Sequence, residues 1–476
     1  MKEKIELKKI LAWTGSKLVS GYENGYIYDI STDTRTLKEG DFFIPVRGDN
    51  YNGHDFIGKA LEGKAGGFVF EKDYSGDLSL WNKKIKDNSL DDGVIIKSKD
   101  NLRFLKDISY NYIRKFNPSI IGITGSVGKT TTKNFLVNIL NLKNSVEYTP
   151  RNYNTEIGVS KSILDIDKKT DFFIAEMGMR GKGQIKILAD MCNLGIGAIT
   201  GISESHLAFF RGLEEIAVTK AEMAEIISAN RGVLFLNNDD RYSNLIEEKV
   251  NCRVIRFGRD NEVKFNFIEK EMDDLGRFTF GLFKNSIHVA DIKLNIPGYH
   301  NLYNACCAAA IALHLGAGAE EVRKGIEEAH VERSRMEVLK KRGRIIIDDC
   351  YNSSPLSVKK AVDTLVMVSK IKKMRSVAIL GDMLELGRKS SGLHREVGRY
   401  LFERKVDILI AVGDSARYIY NGYRDNESFN EENYPSYYFS GKKQLGKEIG
   451  NLVKDGDLIL LKGSRAKKME DIIKLI

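Results

Sequence analysis

A short apolar run, Ser119-Ile120-Ile121, leads into Gly122-Ile123-Thr124-Gly125-Ser126-Val127-Gly128-Lys129-Thr130-Thr131-Thr132. That segment leads in turn into Lys133-Asn134-Phe135-Leu136-Val137-Asn138-Ile139-Leu140, whose apolar residues have helical spacing. Strand, glycine loop and helix start, in that order, aim backbone N–H groups and a helix dipole at one point in space, which suits a phosphate. Gly125, Ser126, Val127 and Gly128 make the loop, and its two glycines let the backbone wrap closely. Lys129 is placed to reach β/γ-phosphate oxygens and the Thr130 hydroxyl to sit on Mg²⁺, with Thr131 beside it in the first turn. A strict P-loop has glycine five residues before Gly128, where this chain has Ile123. The loop is therefore a shortened variant, which argues against ordinary kinases and GTPases. The competing reading is a glycine turn that binds nothing; Gly128-Lys129-Thr130-Thr131-Thr132 at the helix start outweighs it.

At 476 residues the chain has room for about three domains. Its 42% apolar and 29% charged content is that of a globular enzyme rather than a disordered or fibrous chain. No apolar run approaches the ~20 residues of a membrane span. The N-terminal Met1-Lys2-Glu3-Lys4-Ile5-Glu6 carries no apolar core of a secretory signal. Cys192, Cys252, Cys306, Cys307 and Cys350 show no paired spacing, so neither zinc nor disulfides are expected and a reducing cytoplasm fits. The net charge of +9 is spread along the chain with acidic residues between, and no aromatic-basic module appears. Anionic small substrates explain it more simply than nucleic acid.

The pattern of elements divides the chain into three units. In residues 1–98, short strands are predicted over Gly25-Tyr26-Ile27-Tyr28-Asp29-Ile30, Gly40-Asp41-Phe42-Phe43-Ile44-Pro45-Val46 and Gly67-Phe68-Val69-Phe70, with a helix near Phe56 to Leu61. The polar, lysine-rich residues 74–88 read as an exposed loop. In residues 99–331, buried-type strands at 171–175, 196–200 and 233–236 alternate with helices, an α/β unit with a mainly parallel sheet. Alternation at Phe265, Phe267, Phe278, Phe280 and Leu282 predicts an appended antiparallel patch, and helices at 301–315 and 320–329 close the unit. Cys306 and Cys307 read as small core filling in the first of these. Residues 332–476 repeat the alternation, with strands at 344–347, 376–380, 407–412 and 457–461, a smaller doubly wound, Rossmann-like domain. A cleft between the second and third units is the natural ligand site.

Polar residues fall just after predicted strands, where open α/β sheets bind ligands. Glu176 ends one strand and His206 follows the loop after another. Either alone reads as a solvated or packed residue; beside a P-loop they become candidates for the surroundings of Mg²⁺-ATP.

Taken in order, Thr124–Thr131, Glu176, Ser205-His206, Lys220-Ala221-Glu222, Gly298-Tyr299-His300-Asn301-Leu302-Tyr303-Asn304, Arg335-Met336-Glu337 and Leu461-Lys462-Gly463-Ser464-Arg465 resemble the Mur ligases. These are three-domain, ATP-dependent amino-acid ligases of peptidoglycan synthesis. Asp348-Asp349-Cys350-Tyr351-Asn352-Ser353-Ser354-Pro355, the segment Leu380–Gly387 with His394, and the N-terminal Thr32-Asp33-Thr34-Arg35, Gly40-Asp41-Phe42-Phe43 and Gly53-His54-Asp55-Phe56 are similar to the member that adds a dipeptide. The resemblance spans all three units.

It implies a function: joining D-alanyl-D-alanine to UDP-N-acetylmuramoyl-tripeptide through an acyl phosphate, with ATP and Mg²⁺, in a cytoplasmic monomer. It also implies roles. Lys129, Lys220, His206, Glu176 and Arg335 would carry the chemistry. Thr130, Glu176, His206 and Lys220, the last as a carbamate, would hold the metal. His300, Asn301 and Asn304 would hold the adenine end of ATP, although Asn301 also reads as a helix cap. Arg335 would meet the γ-phosphate, and Asp349 and Asn352 nucleotide or incoming dipeptide. Ser31, Thr34 and Arg35 would bind the uridine nucleotide, and Asn152, Asn154 and Thr155 the muramoyl peptide. The family usually has a second Asn where Thr155 stands, and Pro-Ala before and Glu-Gly after the histidine, where this chain reads Glu204-Ser205-His206-Leu207-Ala208. Lys462, Ser464 and Arg465 are substrate-site candidates that also read as a solvated strand edge.

Two rivals remain at this stage. A sister ligase adding a diamino acid usually carries an Asp-Asn-Pro-Arg motif in its third domain, absent here. A non-catalytic nucleotide-binding regulator of wall synthesis would have no need of Lys129, Thr130, Glu176 and Lys220 together.

Overall fold

The strand Ser119–Thr124 is buried from Ile120 onward, and a β-branched run hidden on both faces is what the middle of a parallel sheet requires. The computed structural model describes residues 1–48, 51–74, 76, 93–329 and 332–476. In it this strand lies between Ile196–Ile199 and Phe172–Glu176, parallel to both. The sheet continues through Val233–Asn237 and Arg253–Gly258 on one side and Val146–Tyr148 on the other. Past Arg253–Gly258 come Phe265–Met272, Phe278–Lys284 and Ile287–Lys293, the last two joined antiparallel. The expected antiparallel patch is thus continuous with the parallel sheet.

The helix after the glycine loop, Lys129–Leu140, packs on His300–His314 and Ala319–Glu327. Close approach is possible because the partners are small. Cys306, Cys307 and the alanines from Ala308 to Ala310 are fully buried, and a Cβ on Gly325 would come within 2.5 Å of the Ile139 Cα.

The C-terminal domain is a second, mostly parallel sheet in the order Glu337–Lys341, Arg344–Asp349, Asp457–Lys462, Arg375–Gly381, Ile408–Val412, Ser436–Phe439. Only Glu337–Lys341 runs antiparallel, at one edge. Helix Pro355–Lys372 faces the central domain: a Cβ on Gly298 would meet Thr364, and one on Gly276 would meet Val368.

The N-terminal domain carries the order Lys17–Ser20, Val94–Ser98, Gly67–Glu71, Phe42–Phe43, Ile30–Ser31. The strand expected over 25–30 is instead two. Tyr26–Ile27 pairs with Ile5–Glu6, and Ile30–Ser31 with Phe42–Phe43. Asp29 makes the break, since its Oδ1 accepts from the Ile30 N–H at 2.8 Å and from the N-terminal amine at 2.7 Å. Only Phe42–Phe43 of the run 40–46 joins the ladder. The lysine-rich residues 74–88 lie almost wholly outside the described residues.

The edge strands Val146–Tyr148, Glu337–Lys341 and Ser436–Phe439, and the interior strand Arg253–Gly258, were absent from the expected elements. They are short or mixed polar and apolar, so periodicity alone gives them little contrast.

Candidate active site

The glycine loop is built as its residue types demand. Gly128 has φ +84°, and a Cβ there would sit 2.3 Å from Asn304 Oδ1; a Cβ on Gly125 would meet Thr200 Oγ1 at 2.0 Å. Glycine fits both positions because it has no Cβ and tolerates left-handed backbone. Lys129 folds over the loop, its Nζ donating to the Gly125 carbonyl at 2.8 Å.

Thr130 is the hub. Its hydroxyl donates to Glu176 Oε2 at 2.7 Å and accepts from Arg335 Nη2 at 2.8 Å. Glu176, the last residue of its strand and 3% exposed, also accepts from Asn154 Nδ2 at 3.1 Å. Burial alone would raise the Glu176 carboxyl, but Lys129, Lys133, Arg335 and the Thr130 hydroxyl outweigh it and its pKa is lowered. The lysines pay the electrostatic cost: burial lowers both Lys129 and Lys133, against the pull of Glu176.

Lys133 was not among the expected site residues. It lies one helical turn after Lys129, its Nζ 3.8 Å from Glu176 Oε2 and donating to the Thr149 carbonyl at 2.7 Å. Thr149 in turn takes the Glu176 N–H on its hydroxyl at 2.8 Å. The i, i+4 spacing of two lysines at a glycine loop was the available signal.

The loop after Ile196–Ile199 runs alongside the glycine loop. Thr200 Oγ1 donates to the Val127 carbonyl at 2.5 Å, the Ser126 N–H to the Gly201 carbonyl at 2.7 Å, and the Ser126 hydroxyl to the Ser203 carbonyl at 3.1 Å. His206 follows on the same loop, in left-handed backbone at φ +60°. Its Nδ1 lies 2.5 Å from Oε2 of Glu385, which belongs to the C-terminal domain.

Lys220, in helix Leu213–Ala221, is 1% exposed, which rules out the ordinary surface lysine. Among the described residues it has no hydrogen-bond or ion-pair partner. Burial, with Lys129 nearby, drives its pKa well below the usual lysine value. An unpaired buried ammonium costs several kcal/mol, so the neutral amine is the favoured form.

Of the adenine-end trio, Asn301 and Asn304 are buried and bonded to each other, Asn304 Nδ2 donating to Asn301 Oδ1 at 2.9 Å. Asn301 is not a cap. It is the second residue of helix His300–His314, and its Nδ2 donates to the Pro297 carbonyl at 2.7 Å. His300 is held neutral, its pKa lowered to about 3 by burial and by the charges of Lys360 and Lys462.

The C-terminal residues converge from strand ends. Arg335 stacks over the Tyr351 ring with 3.7 Å to its centroid, and its Nε donates to Glu332 Oε2 at 2.8 Å. Lys462 is not a solvated edge: at 2% exposure it pairs with the Asp349 carboxylate and donates to the Asn352 carbonyl at 2.9 Å. Ser464 is buried, its hydroxyl accepting the Leu384 N–H at 2.9 Å. Arg465 is exposed and pairs with Glu470 at 2.8 Å.

Among the described residues, Ser31, Thr34, Arg35, Asn152 and Thr155 share no hydrogen bond or ion pair with the Thr130 cluster. Arg35 forks onto Asp33, Nη2 to Oδ2 at 2.6 Å, which holds the Asp33 carboxyl down at about 2. Ser31 is buried, with its hydroxyl 3.1 Å from the Asp33 carbonyl. Asn152 and Thr155 are exposed. All five cysteines are free.

The residues around Thr130 fit a hard cation. No three His, Cys, Asp or Glu side chains are grouped to cage a metal among the described residues. A Mg²⁺ site does not need that, because phosphate oxygens and water supply much of its shell. The Thr130 hydroxyl and the Glu176 carboxylate supply adjacent oxygens for such a shell.

The Mur ligase middle domain model matches residues 123–312, and the Mur ligase, glutamate ligase domain model residues 334–465. The UDP-N-acetylmuramoyl-tripeptide–D-alanyl-D-alanine ligase of Bacillus subtilis is 30% identical over 455 residues, covering 95% of this chain and 94% of the relative. Its Escherichia coli counterpart is 25% identical over 451 residues, covering 94% and 93%. A crystal structure of MurF from Acinetobacter baumannii superposes with TM-score 0.88 at 24% identity, covering 99% of this chain and 98% of that one. MurF ligase from Thermotoga maritima in complex with ADP superposes at 0.76, also 24% identical, covering 94% and 96%; both show the shared fold. With a 30% identical relative matched along nearly its full length, and the first model spanning the glycine loop, Glu176, His206 and Lys220 and the second Arg335, this chain belongs to the Mur ligase family.

Proposed function

We infer that this protein is an ATP-dependent ligase that joins D-alanyl-D-alanine to UDP-N-acetylmuramoyl-tripeptide, forming the pentapeptide precursor of peptidoglycan. The observation that carries the reading is the near-full-length relationship to ligases of that name. The site's geometry supplies the chemistry. Amide formation in water needs an activated carboxylate. The tripeptide carboxylate attacks the γ-phosphorus of ATP and ADP leaves, giving an acyl phosphate. The dipeptide amine then attacks the acyl carbon, loses a proton and expels phosphate.

Phosphoryl transfer is mostly positioning and charge neutralisation. Lys129 and Arg335 bring cations to the glycine loop from two domains. Glu176 holds the Thr130 hydroxyl, and Lys133 holds Glu176 from behind. Docking of the C-terminal domain through Arg335 supports exclusion of water from the acyl phosphate. Mg²⁺, held by Thr130, Glu176, His206 and carbamylated Lys220, would neutralise charge on the transferred phosphoryl group. His300 would face the nucleotide base, with Asn301 and Asn304 shaping the loop beneath it. Asp349 and Asn352 take nucleotide or incoming dipeptide, Lys462 and Ser464 form the dipeptide side and Arg465 its rim. Ser31, Thr34 and Arg35 take the uridine nucleotide, and Asn152, Asn154 and Thr155 the muramoyl peptide. On this reading the domains are residues 1–98, 99–331 and 332–476, working in the cytoplasm as a monomer. No helix among the described residues is long and apolar enough to cross a membrane.

The test is phosphate release with UDP-N-acetylmuramoyl-tripeptide and a panel of amine acceptors. D-alanyl-D-alanine should be strongly preferred over single amino acids, including diamino acids. Release that is indifferent to the dipeptide, or preference for a diamino acid, would overturn the reading.

A further inference from the structure

Glu385 sits in left-handed backbone at φ +63°, facing His206, which is left-handed at +60°. Non-glycine residues are strained there, and such strain persists only where surrounding contacts enforce it. Three contacts do so. Glu385 Oε2 lies 2.5 Å from His206 Nδ1, Oε1 lies 3.1 Å from Arg180 Nη2, and the Glu385 carbonyl accepts the Ala208 N–H at 3.0 Å. Gly387 presses on the same loop, where a Cβ would stand 3.0 Å from the Ala208 Cα. Arg180 lies four residues beyond Glu176. One carboxylate of the C-terminal domain therefore ties together the two central-domain loops that follow Glu176 and carry His206.

We propose that Glu385 is a positioning residue for His206: its carboxylate, held against Nδ1 as an ion-pair contact, fixes the ring and favours the proton on that nitrogen, so that the Nε2 lone pair is the one free for Mg²⁺. A ligating histidine commonly gives its other ring N–H to a carboxylate, which orients the ring and raises its basicity. Here the carboxylate arrives from another domain. The metal site is consequently finished only when the C-terminal domain is docked, and cation binding and domain closure favour each other by linkage. The proposal rests on reading His206 as a metal ligand, and the experiment separates the two.

Two readouts are needed, one of them free of metal and turnover. In protein labelled with ¹⁵N-histidine, the His206 ring signals are identified among the seven histidines by their loss in His206→Gln. Mn²⁺ affinity is measured by EPR with a non-hydrolysable ATP analogue. The wild type should show the Nδ1–H tautomer. Glu385→Ala should shift the ring toward Nε2–H and weaken Mn²⁺ about 10–100-fold without lowering the unfolding temperature appreciably. Arg180→Ala, which loosens the same interdomain contact but leaves the carboxylate on His206, should change neither. If Glu385→Ala misfolds, Glu385→Gln decides: it should keep the Nδ1–H tautomer and still weaken Mn²⁺ several-fold. Loss of Mn²⁺ affinity in His206→Gln with none in the Glu385 variants would overturn the proposal while leaving the ligand reading intact. Equal losses in Arg180→Ala and Glu385→Ala would overturn it in favour of a simple latch. Unchanged affinity in His206→Gln would remove the ligand reading and the proposal with it.

Discussion

Arg335 and Thr130 share a hydrogen bond across the domain boundary, Nη2 to Oγ1 at 2.8 Å. The same Thr130 hydroxyl donates to Glu176, so a C-terminal arginine, the helix start of the glycine loop and a buried carboxylate form one chain of polar contacts. The Tyr351 ring supports the guanidinium from one side. Arg335→Lys keeps the charge but loses both the planar stack and the forked donors. Phosphate release should fall at least ~10²-fold with the unfolding temperature little changed. Turnover within a few-fold of wild type in a steady-state assay would show that the arginine serves domain docking alone.

Lys129→Ala should be as severe for another reason. Its ammonium sits over the glycine loop and neutralises phosphate charge that grows in the transition state. A loss of ~10²-fold or more in turnover is expected, with the circular dichroism spectrum retained. Near-wild-type phosphate release would refute the phosphate-binding role of the loop.

The strand–loop–helix around Lys129 was legible because each residue type there serves one purpose. The alternation of buried strands with helices likewise marked two parallel sheets. Glu385 was not legible and Lys133 only by its spacing from Lys129: one is a glutamate in a loop, the other a lysine on a helix, and only the fold shows what they face. Lys462 was ambiguous for the opposite reason. A lysine at a strand end is commonly solvated, but Asp349, which pairs with it, lies 113 residues away. Asn301 illustrates a third limit, since a cap and a residue one step inside a helix have nearly the same sequence signature.

The Asp33–Arg35 fork predicts where uridine nucleotide specificity lies. Arg35 is 82% exposed with its guanidinium held in place by Asp33, a preorganised donor for a diphosphate. Arg35→Ala should raise KM for UDP-N-acetylmuramoyl-tripeptide about 10-fold while leaving kcat and the KM for ATP nearly unchanged. Calorimetry showing undiminished binding of that substrate would exclude the loop from the site.

His394 gives the pH dependence a named source. It is fully buried, with Nε2 accepting the Met383 N–H at 3.0 Å and Nδ1 facing the Ser390 carbonyl at 2.7 Å. Only the neutral Nδ1–H tautomer satisfies both. Burial accordingly lowers its pKa from the ordinary 6.5. In the unfolded chain it takes up a proton as pH falls through 6.5, before the folded protein does, so stability falls in that window. His394→Gln should be less stable than wild type at about pH 7.5, yet lose less stability on going to about pH 5.5. Urea midpoints at the two pH values measure the difference, and equal losses in both proteins would show that His394 contributes nothing to the slope.

Lys220 carries the sharpest chemical expectation. It is buried, unpartnered among the described residues and lies near the cationic Lys129, an environment that favours the neutral amine. A neutral amine adds to the carbon of CO₂ and, on losing a proton, becomes a carbamate. That converts a cation which would repel Mg²⁺ into an oxygen anion which can bind it. Active enzyme kept in ¹³C-bicarbonate should show one carbamate resonance that is missing from Lys220→Ala. Lys220→Arg keeps a cation and cannot form the carbamate, so it should lose most activity, at least ~10²-fold. Lys220→Ala should regain part of its activity with small carboxylates such as acetate, which can take the vacated oxygen position. A fully active Lys220→Arg enzyme with no carbamate signal in the wild type would eliminate the modification.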